Sequence, residues 1–245
     1  MQNIFFDTRI LDKKSREKFY LTEELMMENA AQELESCVMP HVFHESSRYI
    51  NRPCVLILAG RGNNGADGYV LARRLSCHDF CVAVCCIGEP SSEIAKVQKK
   101  RAELLGVSFI SPYDLDSFVE EKSFDISVVV DCVYGSGFHL PLDAESEAVI
   151  QSANKIEAFK VSCDVPSGLD SDGNGKIVFR ADETVAMGAL KLSLFSDKAK
   201  DFLEPKSHDI QLNHVSFYYE KRKIIDDVSL SIPEKTTNAI VGPSG

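Results

Sequence analysis

The sequence predicts an α/β fold, a three-layer αβα sandwich built on a mostly parallel sheet. Three observations predict it. From residue 54 onward, short apolar runs alternate with helical patterns, the signature of repeated β-α-β units. The apolar runs are continuous, as in Val128-Val129-Val130, which marks strands covered on both faces. Polar turns follow three of these runs, and sheets of this kind bind ligands at the carboxyl ends of their strands.

The elements follow in order. Two helices are expected over residues 12–20 and 22–36, the second capped by Thr22, with Glu23 and Glu24 favouring the positive end of its dipole. Met26-Met27-Glu28-Asn29-Ala30-Ala31 reads as a packed helix face. Strands are expected over 54–59, 81–87, 107–110, 126–131, 159–164 and 184–188. Helices fill the intervals over 67–76, 91–105, 115–121 and 143–156, with Ser91 or Ser92 capping the second of these. After Leu203 the character changes at Glu204-Pro205-Lys206-Ser207, and residues 210–219 and 224–232 alternate as strands. The expected division is residues 1–205 and a short β-rich appendage over 206–245.

Bulk properties narrow the function. A chain of 245 residues with 44% hydrophobic content can bury a sizeable core. A formal charge of -10 is the wrong sign for a nucleic-acid surface. No apolar run approaches the roughly 20 residues that span a bilayer, and the first residues carry no basic-then-apolar leader. A cytoplasmic protein without nucleic-acid or membrane partners is the expectation. The eight cysteines lie mostly in apolar runs and form no paired C-x-x-C, so they read as small core hydrophobes.

The chemistry collects after three strands. Gly60-Arg61-Gly62-Asn63-Asn64-Gly65-Ala66-Asp67-Gly68 follows the first; its glycines let backbone approach an anion at a helix start. The G-x-G-x-x-G within it is a weak dinucleotide signal by itself. Asp131-Cys132-Val133-Tyr134-Gly135-Ser136-Gly137 and Asp164-Val165-Pro166-Ser167-Gly168 follow two others, each opening on a carboxylate. Two carboxylates and a phosphate-type loop on one sheet edge point to a ligand site.

These three blocks resemble the signature segments of NAD(P)H-hydrate epimerases, the YjeF N-terminal domain family. Leu25-Met26-Met27-Glu28-Asn29-Ala30-Ala31 is similar to that family's N-terminal helix. Ala181-Asp182-Glu183-Thr184-Val185-Ala186-Met187-Gly188 with Lys191 is similar to its closing segment. The resemblance spans about residues 5–203. It implies a Rossmann-like domain that interconverts the R and S forms of hydrated NADH and NADPH. It further implies that Asn63, Asn64, Gly65, Ala66 and Asp67 bind the nucleotide, together with Gly135, Ser136, Gly137, Phe138, His139, Leu140, Pro141 and Asp164. A potassium ion would be held by Asn64, Asp131 and Ser167. Ala66 stands where the family usually has glycine, which puts the fit of the ligand there in question. A separate ADP- or ATP-dependent NAD(P)H-hydrate dehydratase and a homodimer are the partners it suggests.

The residue types suit that chemistry. A hydroxyl beside a ring nitrogen leaves once protonated, and water returns to either face of the iminium. A carboxylate that gives and takes a proton serves both steps. Asp164 is the expected acid/base, with Asp131 mainly holding the cation. Two other readings stay open: an NAD(P)-dependent oxidoreductase, for which Glu89 would grip the adenosine ribose, and a non-catalytic nucleotide-binding protein of the same fold. The appendage resembles the start of an ABC-transporter ATP-binding domain cut short. Tyr219 stands at the position of the adenine-stacking aromatic, and Gly242-Pro243-Ser244-Gly245 matches half of a phosphate loop.

Overall fold

The computed structural model describes residues 4–5, 8–42, 52–122, 125–196, 210–219 and 222–232. The chain divides into two compact units, Met1–Leu203 and Glu204–Gly245.

The first unit holds strands β1 (Ile4–Phe5), β2 (Cys54–Ala59), β3 (Cys81–Cys86), β4 (Ser108–Ile110), β5 (Ile126–Cys132), β6 (Phe159–Cys163), β7 (Glu183–Val185) and β8 (Leu190–Lys191). Its helices are α1 (Arg9–Phe19), α2 (Glu23–Val42), α3 (Asn63–Leu75), α4 (Glu93–Leu104), α5 (Leu115–Lys122) and α6 (Ala144–Lys155). Six strands form one sheet in the order β4-β3-β2-β5-β6-β7, and every pairing is parallel. β1 and β8 pair separately, also in parallel.

Strand β2 shows why its sequence reads as a continuous apolar run. All six residues are fully buried, and their side chains divide between two cores. Val55, Ile57 and Ala59 pack with α2, α3 and α4, while Cys54, Leu56 and Leu58 pack with α5 and α6. The alternation that a half-exposed strand would show is absent because both faces are covered. The cysteines behave accordingly. All eight are free thiols, and Cys54, Cys85, Cys132 and Cys163 are buried in these cores.

Helix boundaries move where caps decide them. Thr22 Oγ1 accepts from Leu25 N, as a cap does, but the helix it starts runs on to Val42 and takes in Pro40 near its end. Ser92 caps α4 by accepting from Ala95 N, and Asp143 caps α6 by accepting from Ser146 N. The expected helix over 67–76 starts four residues earlier, at Asn63. Gly62 is the extended N-cap, and Ala66 N donates to Gly62 O. Asn63 to Asp67 is therefore the first turn of α3, and not a loop preceding it. The helix can start there because glycines permit contact between backbones. A Cβ on Gly65 would lie 1.9 Å from Gly60 O, and one on Gly60 would lie 2.1 Å from Val133 O.

In the second unit, β9 (Ile210–Tyr219) and β10 (Arg222–Ile232) pair antiparallel as a hairpin, with register shifts between Lys223 and Leu230. Residues 242–245, the half phosphate loop, lie outside the described residues.

Gly65→Ala should lower stability by about 1–3 kcal/mol, the usual cost of forcing atoms into filled space. Urea unfolding measures it, and an unchanged midpoint would contradict the contact with Gly60.

Candidate functional site

Strands β2, β5 and β6 are neighbours in the sheet, so the turns that follow them meet at one edge. They bound a cleft of about 1330 Å³, closed on another side by residues of α1 and α2. That exceeds the roughly 300–1,000 Å³ of ordinary small-molecule pockets and suits a ligand as long as a dinucleotide.

Asp131 is the penultimate residue of β5 and has no solvent exposure. Its Oδ1 accepts from Ser167 Oγ at 2.6 Å and Val133 N at 3.1 Å, and its Oδ2 accepts from Ser167 N at 2.7 Å and Ser162 Oγ at 3.3 Å. Burial pushes its carboxyl up to about 6 despite those donors. No ion pair reaches it among the described residues. Ser167 Oγ also accepts from Tyr134 N at 2.8 Å, which ties the turn after β6 to the turn after β5.

Asp164 follows β6 in the left-handed region, at φ 71, a conformation that costs a non-glycine residue on the order of 1–3 kcal/mol. The surroundings hold it there. Asp164 N donates to Val185 O at 2.8 Å. Its Oδ1 accepts from Met187 N at 3.1 Å and from Lys191 Nζ, and its Oδ2 accepts from Ser136 N at 2.9 Å. Lys191 is 1% exposed, and its ammonium also donates to Met187 O. A buried ion pair thus sits at the floor of the cleft.

The first turn of α3 supplies the third wall. Asn64 Nδ2 donates to Cys163 O at 3.4 Å, and Asn63 Oδ1 accepts from Ser92 Oγ at 3.3 Å. A Cβ on Gly135 would lie 3.0 Å from Asp164 Oδ2 and 3.3 Å from Asn64 Oδ1. Glycine there keeps space between the two groups. Asp67 lines the cleft, with no hydrogen bond or ion pair to its carboxyl among the described residues. Withdrawal from water, and then the charges of Asp164 and Asp12, raise it well above the ordinary carboxylate value.

Most of the expected ligand residues face this space. Asn63, Asn64, Asp67, Gly135, Ser136, Gly137, Phe138, His139, Pro141 and Asp164 line it. Three do not. Gly65 and Ala66 are buried beneath it, and Leu140 is 41% exposed and lies off the lining. Ala66 belongs to the core on the α2 and α4 side, so its methyl fills a packing position and leaves the ligand surface untouched. Its φ is not among the positive ones. Asp131 and Ser167 lie behind the lining, bonded to each other. Glu89 pairs with Lys99, is 88% exposed, and is absent from the cleft. The oxidoreductase reading loses its ribose ligand.

Two contributions went unread in the residues. Lys191 entered only as part of a resemblance, although a lone lysine in Ala189-Leu190-Lys191-Leu192 is itself a sign of a buried partner. The part of α1 in the lining, Arg9, Asp12, Ser15 and Phe19 among it, leaves no local motif.

The family model for the YjeF-related protein N-terminus matches residues 23–193. The chain belongs to that family. A Helicobacter pylori bifunctional NAD(P)H-hydrate repair enzyme is 34% identical over 94% of this chain and 46% of its own length. An Oenococcus oeni NAD(P)H-hydrate epimerase is 35% identical over 64% of this chain and 73% of its own. A Leuconostoc citreum NAD(P)H-hydrate epimerase is 26% identical over 95% of this chain and 92% of its own. This chain spans about half the length of the bifunctional relatives. The crystal structure of yeast ynu0 superposes with a TM-score of 0.70 at 19% identity, over 93% of this chain and 100% of that one. The two chains thereby share a fold. Among the described residues no helix is long and apolar enough to cross a membrane.

Ser167→Ala removes a donor to the buried Asp131 and the acceptor of Tyr134 N. A loss of about 1–3 kcal/mol on urea unfolding is expected; wild-type stability would show that this network does not hold the two turns.

Proposed function

We propose that this protein interconverts the R and S forms of hydrated NADH and NADPH, repairing damaged nicotinamide nucleotides. The observation that carries the reading is Asp164, a carboxylate fixed at the floor of a dinucleotide-sized cleft inside a family whose relatives bear the epimerase name.

The chain's residues account for the steps as follows. The amides of Asn63 and Asn64, the first turn of α3 and the backbone of the turn after Tyr134 bind the dinucleotide, with helix dipole and free N–H groups facing phosphate. The hydrated ring sits over Asp164. Loss of the hydroxyl leaves an iminium, and water returns to the opposite face. Asp164 exchanges the proton with the oxygen that leaves or returns.

The donor types of Asn64, Asp131 and Ser167 would suit a potassium ion, which would replace the hydrogen bond between Ser167 Oγ and Asp131. They supply an amide oxygen, a carboxylate and a hydroxyl, all hard oxygen ligands, and Asp131 is a buried carboxylate with no cationic side chain against it among the described residues. When bound, the ion would offset that charge and part of the phosphate charge. A dehydratase acting on one hydrate form is the partner this reaction calls for, in a cytoplasmic setting. The hairpin of β9 and β10 we read as the opening of an ABC-transporter ATP-binding domain, on the strength of its separate unit and the sequence that follows it.

Purified R hydrate, incubated with the protein and potassium, should yield the S form faster than in buffer alone, as followed by chromatography. Asp164→Asn should slow this on the order of 10²–10⁴-fold. A variant that binds the nucleotide and epimerises at the wild-type rate would remove Asp164 from the mechanism.

A further inference from the structure

Epimerisation needs one proton delivered to a departing hydroxyl and another taken from the water that replaces it. Among the described residues, the hydrogen-bond partners of the Asp164 carboxyl are all donors: Lys191 Nζ and Met187 N on Oδ1, Ser136 N on Oδ2. Each of these contacts addresses a carboxylate, so the group enters the reaction as a proton acceptor. Something else must arrive carrying the proton.

Asp67 has the opposite surroundings. It projects from the first turn of α3 into the same cleft, with no donor on its carboxyl among the described residues. The charged groups felt there are carboxylates, Asp164 after β6 and Asp12 on α1. Two carboxyl groups line one cleft, one held by an ammonium and two backbone donors, the other without a donor among the described residues and facing like charge. Such a pair divides acid from base.

Resting on the epimerase reading, we propose that Asp67 is a second catalytic residue: it gives its proton to the leaving hydroxyl, while Asp164, held by Lys191 as a positioning residue, takes one from the returning water. In the first step the Asp67 O–H proton passes to the hydroxyl oxygen of the hydrated ring. The C–O bond breaks, its electron pair stays with the oxygen, and water departs. The ring-nitrogen lone pair forms the C=N bond. In the second step a water oxygen bonds to that carbon from the other face, and the C=N π pair returns to nitrogen. The proton that water sheds goes to Asp164. One proton has then moved from Asp67 to Asp164, and exchange with solvent through the open cleft restores both. The reverse reaction uses the two groups in exchanged roles.

The test follows oxygen as well as configuration, with each pure epimer in ¹⁸O-water. The wild type should exchange the hydroxyl oxygen and invert. Asp164→Asn should keep exchange from one epimer while losing inversion, because Asp67 can eject the hydroxyl and readmit solvent water from the same face. Asp67→Asn should lose exchange from that same epimer, on the order of 10²-fold or more. Asp67→Asn working at the wild-type rate would overturn the proposal, as would Asp164→Asn losing exchange from both epimers. Should Asp67→Asn fail to fold, the Asp164→Asn arm decides alone. A wild type that turns over neither epimer overturns the functional reading instead. Infrared difference spectra then judge Asp67 independently: a protonated carboxyl stretch at neutral pH that Asp67→Asn removes supports the assignment, and no such band overturns it.

Discussion

The Asp131 carboxylate holds the site together. Its two oxygens collect donors from Val133, Ser162 and Ser167, which belong to the turn after β5, to β6 and to the turn after β6. The end of β6 and the turn after it, 31 and 36 residues along the chain, are thereby fixed against the end of β5 through one buried carboxyl. Ser167 passes the constraint on by accepting from Tyr134 N, so the glycine-rich turn after β5 and the Pro-Ser-Gly turn after β6 move as one body. Asp164 lies between them. Its left-handed backbone costs energy that this clamp and the Val185 contact offset, and the consequence is a carboxylate aimed into the cleft.

The sheet supplies the frame for that clamp. Because β2, β5 and β6 are adjacent and parallel, their carboxyl ends fall on one edge, and three sequence blocks about 70 and 33 residues apart become walls of one cavity. Close approach of Gly60 to Val133 and of Gly65 to Gly60 draws the first wall against the second. Side chains at those two positions would open the cleft before any ligand arrived.

Much of this was legible in the sequence, for identifiable reasons. A strand covered on both faces must be apolar throughout, so β2 and β5 declared themselves and a parallel sheet followed. The Asp-terminated turns were legible because a carboxylate at a strand end is unusual enough to be noticed. The start of α3 was not. Glycine and asparagine suggest a loop by propensity, whereas backbone packing onto Gly60 lets Asn63 open the helix and sends Ala66 into the core. The Lys191–Asp164 pair was invisible for a different reason. It joins the turn after β6 to β8, 27 residues apart, and no local pattern encodes such a contact. The wall from α1 depends on tertiary placement alone.

A crystal structure with bound hydrated NADPH tests the account most directly. The hydroxyl-bearing ring carbon should lie over Asp164, its oxygen within hydrogen-bond reach of a cleft carboxylate, and the phosphates at the first turn of α3. A dinucleotide bound with its hydrated ring against α1, away from Asp164, would contradict it.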